Sequence, residues 1–248
     1  MRPLLLLPLV ACNAASIALD KPGETGEAPD SDSAPATAPV YVHDADTLYA
    51  WDAAKLSALP IAPFADAATG SPVTGFTDLA IDAEGTLYGA AAGTLYRVNP
   101  RTGGVSAVQV LPDQGTGLGF LPDGRLIVAG MGLAALDLGT GAVETLVPAG
   151  AFVTSGDVVA TPDGLVHWTV TTTGGDAWVV FDPTTHQTDV RGLVGASELW
   201  GVAWSEERLW AFSAAGEAWT VDPATGHGTL AATGGAPWYG ATTNPVTW

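Results

Sequence analysis

The chain holds 248 residues, with 26 Asp plus Glu against eight Lys plus Arg, a formal net charge of -18. That balance excludes a protein that grips a phosphate backbone, because nucleic-acid affinity comes largely from clustered Lys and Arg. A single Cys excludes an internal disulfide and a cysteine-built metal site, while 47% hydrophobic residues without an 18-residue apolar run point to a buried core rather than a membrane-spanning helix.

Met1-Arg2 is a short basic start, Pro3 to Val10 is apolar, and Leu9-Val10-Ala11-Cys12 follows. This is the three-part order of a signal peptide. Leu9-Val10-Ala11-Cys12 resembles the lipobox of bacterial lipoproteins, in which cleavage precedes the Cys. The resemblance implies a signal peptide over residues 1–11 and a diacylated Cys12 as the mature N-terminus, so the expected partner of this end is a membrane. Each buried methylene contributes about 0.8 kcal/mol, and one acyl chain holds only marginally where two or three hold stably. Asn13 stands where the inner-membrane retention signal of enterobacterial lipoproteins has Asp, which favours the outer membrane, on its periplasmic or its exposed side.

Residues 12–40 form a different material. Asp20, Glu24, Glu27, Asp30 and Asp32 face Lys21 alone, interleaved with Pro22, Pro29, Pro35 and Pro39, and aromatic residues are absent. Such a segment buries too little to offset ordering entropy. It reads as a disordered, self-repelling tether with a root-mean-square reach of about 30 Å.

From residue 41 to 248 the chain repeats. Each unit has short β-type runs around a turn, as in Leu87-Tyr88 after Glu84-Gly85 and Leu126-Ile127-Val128 after Asp123-Gly124, with Glu206-Glu207 at that place before Leu209-Trp210-Ala211. A final turn opened by an acidic residue or Asn recurs at Asp52, Asn99, Asp137, Asp182 and Asp222, at intervals of 47, 38, 45 and 40 residues. A period near 40 with four strands per unit is the signature of propeller blades. In these turns Asp or Asn bonds its own backbone, Pro fixes φ and Gly supplies positive φ. Trp238 to Trp248 matches only the start of a unit, and Tyr41 to Asp52 only its later strands. The expected fold is therefore all-β, a five-bladed β-propeller closed by a blade shared between the N- and C-termini; a sixth blade would need another unit of about 40 residues.

The domain resembles β-propellers of the NHL and quinoprotein-like type in architecture and turn style. Trp51-Asp52 is similar to the WD dipeptide, but no other unit repeats it. Enzymatic propellers of the gluconolactonase and regucalcin type hold a divalent cation with Glu, Asn and Asp. Here the Asn residues of the repeats, Asn99 and Asn244, both fall at expected turns. His43, His167, His186 and His227 have no metal-ligand spacing, with His167 reading as a satisfied interior residue. No Gly-x-Ser-x-Gly elbow supports Ser155 as a nucleophile. No catalytic residue, metal or cofactor is assigned.

Aligning the starts of the units brings Thr77-Asp78, Thr116-Gly117, Gly156-Asp157, Trp200-Gly201 and Trp238-Tyr239 around one channel mouth. Asp78, Asp157, Trp200, Trp238 and Tyr239 are the candidate binding face, since aromatic rings give contact area at low entropy cost. Inter-blade packing is the competing role for Trp200 and Trp238. The sequence thus predicts a monomeric, lipid-anchored extracytoplasmic propeller acting as a binding or scaffold module for a protein or carbohydrate. A propeller hydrolase or lactonase is the alternative.

Overall fold

Runs of β-branched and aromatic residues broken by Asp, Pro and Gly leave no room for helical periodicity, and the chain folds as antiparallel four-stranded meanders. The computed structural model describes residues 36–112 and 115–247. The signal peptide expected over 1–11, Cys12, most of the 12–40 tether and Trp248 lie outside the described residues. Five blades form a β-propeller. The first combines β1 (Val40–His43), β2 (Thr47–Asp52) and β3 (Ser57–Pro63) with the last strand of the chain. After the two-residue β4 (Ala65–Asp66), the second blade is β5 (Phe76–Ile81), β6 (Leu87–Ala91), β7 (Thr94–Val98) and β8 (Gly104–Val110). The third runs β9 (Gly117–Phe120), β10 (Leu126–Ala129), β11 (Leu133–Leu136) and β12 (Val143–Val147). The fourth is β13 (Thr154–Ala160), β14 (Val166–Thr172), β15 (Gly175–Asp182) and β16 (Gln187–Leu193). The fifth is β17 (Leu199–Ser205), β18 (Arg208–Ser213), β19 (Ala218–Val221) and β20 (Gly228–Ala232), and β21 (Gly240–Thr243) then returns to β1.

Each recurring turn is built as the sequence predicts. The Oδ1 atoms of Asp52, Asn99, Asp137, Asp182 and Asp222 each accept the backbone N–H groups two and three residues on, at 2.8–3.3 Å. These side chains belong to turns, and a side-chain oxygen that caps its own loop is not offered to a ligand.

Strand alternation makes the core. Neighbouring residues of an inner strand point to opposite faces of the blade and so into different inter-blade interfaces. Leu79 packs with Tyr41, Phe64 and Phe76 between the first and second blades, whereas Ala80 packs with Tyr88, Leu118 and Leu126 between the second and third. Val158 joins Trp168 and Phe181 on one side of the fourth blade, and Val159 joins Trp178 and Val202 on the other. The fifth interface, between the last blade and the first, holds Trp51, Trp210, Phe212 and Trp238. The outermost strands, such as β16, alternate with solvent instead.

The ends of the chain are clasped. Ala36–Val40, assigned to the tether by composition, pack on the ring. Ala36 N–H donates to Gly85 O, the Tyr41 hydroxyl accepts Thr37 N–H and Ala38 N–H, and fully buried Asn244 donates Nδ2 to Ala36 O and Ala38 O at 3.1 Å. The shared blade is held by β1 pairing with β21 from Val40–Thr243 to His43–Gly240. Deleting residues 238–248 removes this inner strand and the Asn244 clasp. Loss of a single cooperative melt, with self-association on size exclusion, is the expected outcome, because adjacent blades bury one another's faces; a monomeric truncation with an unchanged melt contradicts ring closure.

Candidate functional site

The starts of the inner strands converge on the ring axis. The aligned positions there are Asp78, Gly117, Asp157, Gly201 and Gly240, two carboxylates among three glycines. Both carboxylates are fully buried. Asp78 Oδ1 accepts Leu79 N–H at 2.8 Å and Oδ2 accepts Leu118 N–H at 2.5 Å. Asp157 Oδ1 accepts Val158 N–H at 2.5 Å, while its Oδ2 accepts Val202 N–H at 2.5 Å and Ala241 N–H at 3.3 Å. The five donors are one amide from the inner strand of each blade. Glycine at 240 is a steric requirement, since a Cβ there would collide with Asp78 Oδ1 and His43 Nε2.

Two adjacent, fully buried carboxyl groups disfavour ionising together. Burial pushes Asp78 well above the ordinary carboxylate range, reinforced by the adjacent Asp157. Burial also raises Asp157, to about 8, against the lowering effect of the hydrogen bond from Asp78 and of its amide donors. Both groups are raised, so the pair favours one shared proton between the two carboxyl groups. His43, beside them, is held neutral by burial, down to about 4; its Nδ1 lies 2.7 Å from Asp44 O, and among the described residues Nε2 has no partner. His167 is likewise buried and lowered to about 4, its Nδ1 accepting Trp178 Nε1–H at 3.1 Å.

The mouth lies one residue outward. β-Bulges at Phe76/Asp78, Thr154/Val158 and Leu199/Gly201 turn Thr77, Ser155 and Trp200 out of the ladders. With Thr116 and Tyr239 they line a cavity of about 140 Å³, floored by Gly156. A side chain at Gly156 would strike the backbone of Trp200, so glycine lets β17 close against β13. The Trp200 and Tyr239 rings meet edge to face, with centroids 5.1 Å apart. Thr77 donates its hydroxyl to Gly115 O at 2.6 Å and Thr116 to Ala129 O at 3.0 Å, which leaves both oxygens as acceptors toward the cavity.

The structure thus separates the residues that the sequence groups. Trp200 and Tyr239 line the mouth. Asp78 and Asp157 lie beneath it, sealed and turned onto the backbone. Trp238 is 2% exposed and packs edge to face on Tyr49, with ring centroids at 5.4 Å, in the interface between the last and first blades. The reason is register: Gly240, not Tyr239, aligns with Asp78, and a one-residue slip in a strand sends a side chain to the other face. The same alignment brings Thr77 and Thr116 to the mouth without singling them out as binding residues, whereas Ser155, one residue before the aligned Gly156-Asp157, falls outside it.

No protein-family model matches the chain, and no curated protein sequence matches it. Among solved structures it is similar to a chain of the nidogen/laminin complex, with a TM-score of 0.51 and 10% identity over 84% of this chain and 98% of that one. It is also similar to U3-55K (TM-score 0.47, 13% identity, 79% of this chain and 67% of that one) and to the RRP9 WD40 repeats (0.48, 13%, 79% and 66%). At these identities the likeness is one of fold.

Two outcomes follow from this geometry. Asp78, Asp157 and Asp176, the last a buried residue of β15 whose Oδ2 accepts Leu199 N–H at 2.7 Å and which burial raises, bind protons more tightly folded than unfolded, so their contribution is complete below the unfolded carboxylate value near 3.8 and is lost as pH rises toward the folded value, about 8 for Asp157. His43 and His167 act oppositely, but only between about 4 and 6.5. Melting temperature should therefore fall by a few degrees from about pH 6.5 to 8, and Asp78→Asn should flatten that slope; a flat parent profile contradicts the proton-sharing pair. Separately, Trp238→Ala should cost about 3–5 kcal/mol as a buried large aromatic, whereas Trp200→Ala at the mouth should cost far less. Denaturant melts of the two variants compare them directly.

Proposed function

We propose that this propeller is a binding scaffold whose mouth receives a cationic side chain of a protein partner, and that it is held at the cell envelope by lipid on Cys12. The observation that carries the reading is the mouth itself: two aromatic rings, Trp200 and Tyr239, beside threonine oxygens left as acceptors. An ammonium or guanidinium group over an aromatic face gains about 0.5–2 kcal/mol and donates where the mouth accepts. A net charge of -18 steers basic partners toward the ring. A cavity of about 140 Å³ suits one side chain rather than a whole small-molecule ligand.

The anchoring half rests on Leu9-Val10-Ala11-Cys12 and on the direction of the chain. Ala36 bonds to the β5–β6 turn, at the end of the ring opposite Trp200 and Tyr239. A stalk leaving there points the mouth away from the lipid surface, outward from the outer membrane in the reading that Asn13 favours. Detergent phase partition tests it: Cys12→Ser should move the protein to the aqueous phase, and an unmodified Cys12 in the native protein sinks the anchor. For the mouth, short Lys- or Arg-containing peptides should bind the parent better than their Gln counterparts, and Trp200→Ala should weaken binding by about tenfold while lowering the melt far less than Trp238→Ala. Equal binding of basic and neutral peptides contradicts the proposed ligand class.

A further inference from the structure

Trp204 is the penultimate residue of β17, at the opposite end of that strand from the mouth. Its indole is half-buried and packs partly against the apolar cluster of Val159, Trp178 and Val202. It forms the wall of a hollow of about 680 Å³ shared with Glu207, Arg208, Thr220, Asp222 and Thr229. On its other side a second hollow of about 480 Å³ runs toward the fourth blade, past Pro223 and Arg191. Both lie in the range of volumes that small-molecule sites occupy.

The polar groups of the first hollow divide in a telling way. Asp222 is committed to its own turn, accepting Ala224 N–H and Thr225 N–H. Arg208 is exposed and makes no ion pair among the described residues, although the chain carries acids in large excess. Glu207 is equally uncommitted. The turn that presents them is unusual: Glu206 and Glu207 have φ of 52° and 59°, whereas the matching turns of the second, third and fourth blades use Gly85, Gly124 and Gly164 at 84°, 88° and 83°. Left-handed backbone disfavours any residue with a Cβ, so two glutamates stand where glycine would be cheaper.

We propose that the hollow beside Trp204 binds a pyranose ring of a neutral glycan chain. A flat indole suits the C–H face of a sugar ring, and sugar hydroxyls both donate and accept. Arg208 and the Trp204 N–H supply donors, and Glu207 and the Thr229 hydroxyl supply acceptors. Among the described residues that line the hollow, which also include His227 and the turn-bound Asp222, uncommitted Arg208 is balanced by uncommitted Glu207, which favours an uncharged ligand over an anion or an amine. The hollow on the far side of Trp204 gives room for a second ring, which favours a chain over a free monosaccharide. This site is at the other end of β17 from the mouth and does not depend on what the mouth binds.

The test uses the full chain with the methyl pyranosides of glucose, galactose, mannose and N-acetylglucosamine, and with the matching trisaccharides. Saturation-transfer NMR and tryptophan fluorescence follow binding. At least one trisaccharide should bind in the millimolar range or tighter and exceed its methyl glycoside by about tenfold. Arg208→Gln and Trp204→Leu should each weaken it by a similar factor, and Arg208→Gln, at an exposed position, should leave the melt unchanged. Glu207→Gly should raise the melting temperature while weakening binding. Absence of saturation transfer from every sugar at about 10 mM overturns the proposal. So does sugar binding that survives both Trp204→Leu and Arg208→Gln undiminished.

Discussion

Five backbone amides, one from each blade, end on two carboxyl groups at the centre of the ring. An unpaired buried amide costs about 1–3 kcal/mol, and a propeller whose inner strands begin at the axis exposes several at once. Here Asp78 and Asp157 act as internal acceptors for all of them, and the aligned glycines at 117, 201 and 240 make room. Two ionised carboxylates would be intolerable in that space. Burial raises both groups and favours one shared proton, so the pair that satisfies the amides is also where a pH response of the ring is expected. The hub spends its chemistry on the backbone, and the groups that face solvent are found one bulge residue further out.

Around this hub each blade is a sheet with two apolar faces, and stability is distributed over five similar interfaces rather than one core. That explains the tolerance for buried indole N–H groups without partners among the described residues at Trp51, Trp168 and Trp210. In each case the ring fills an inter-blade gap, and packing of so large an apolar surface outweighs one missing hydrogen bond. It also explains why nine Trp residues gave a poor guide to ligand contacts: most serve the wedge between blades.

The blade count was legible because Asp52, Asn99, Asp137, Asp182 and Asp222 act locally, each capping its own turn whatever surrounds it. The candidate site was legible only in part. Asp78 and Asp157 were found by alignment, but nothing in a one-dimensional pattern says that a strand-initial Asp turns inward. Bulges at Thr77, Ser155 and Trp200 break the two-residue period locally, so face assignment fails where the mouth is built. Trp238 and Tyr239 were grouped because no turn residue marks the register of the last half-unit. The composition of Ala36–Val40 is that of a linker; their contacts with Asn244 and Gly85 span more than two hundred and about fifty residues of sequence, beyond what a local pattern carries.

The placement of β1 bears on mechanics. It enters the ring at Val40 on one face, ends at His43 on the other, and is flanked by β21 and β2 over its whole length. A pull between the chain before Ala36 and a partner at the mouth therefore acts along the strand rather than across it. Every ladder bond of β1 bears the load together, in shear, instead of opening one after another as in a peeling hairpin. The Ala36–Gly85 bond and the Asn244 clasp stand ahead of them and take up strain first. A ring closed with its entering strand in the middle of a sheet is thus built to resist traction from its own N-terminal end.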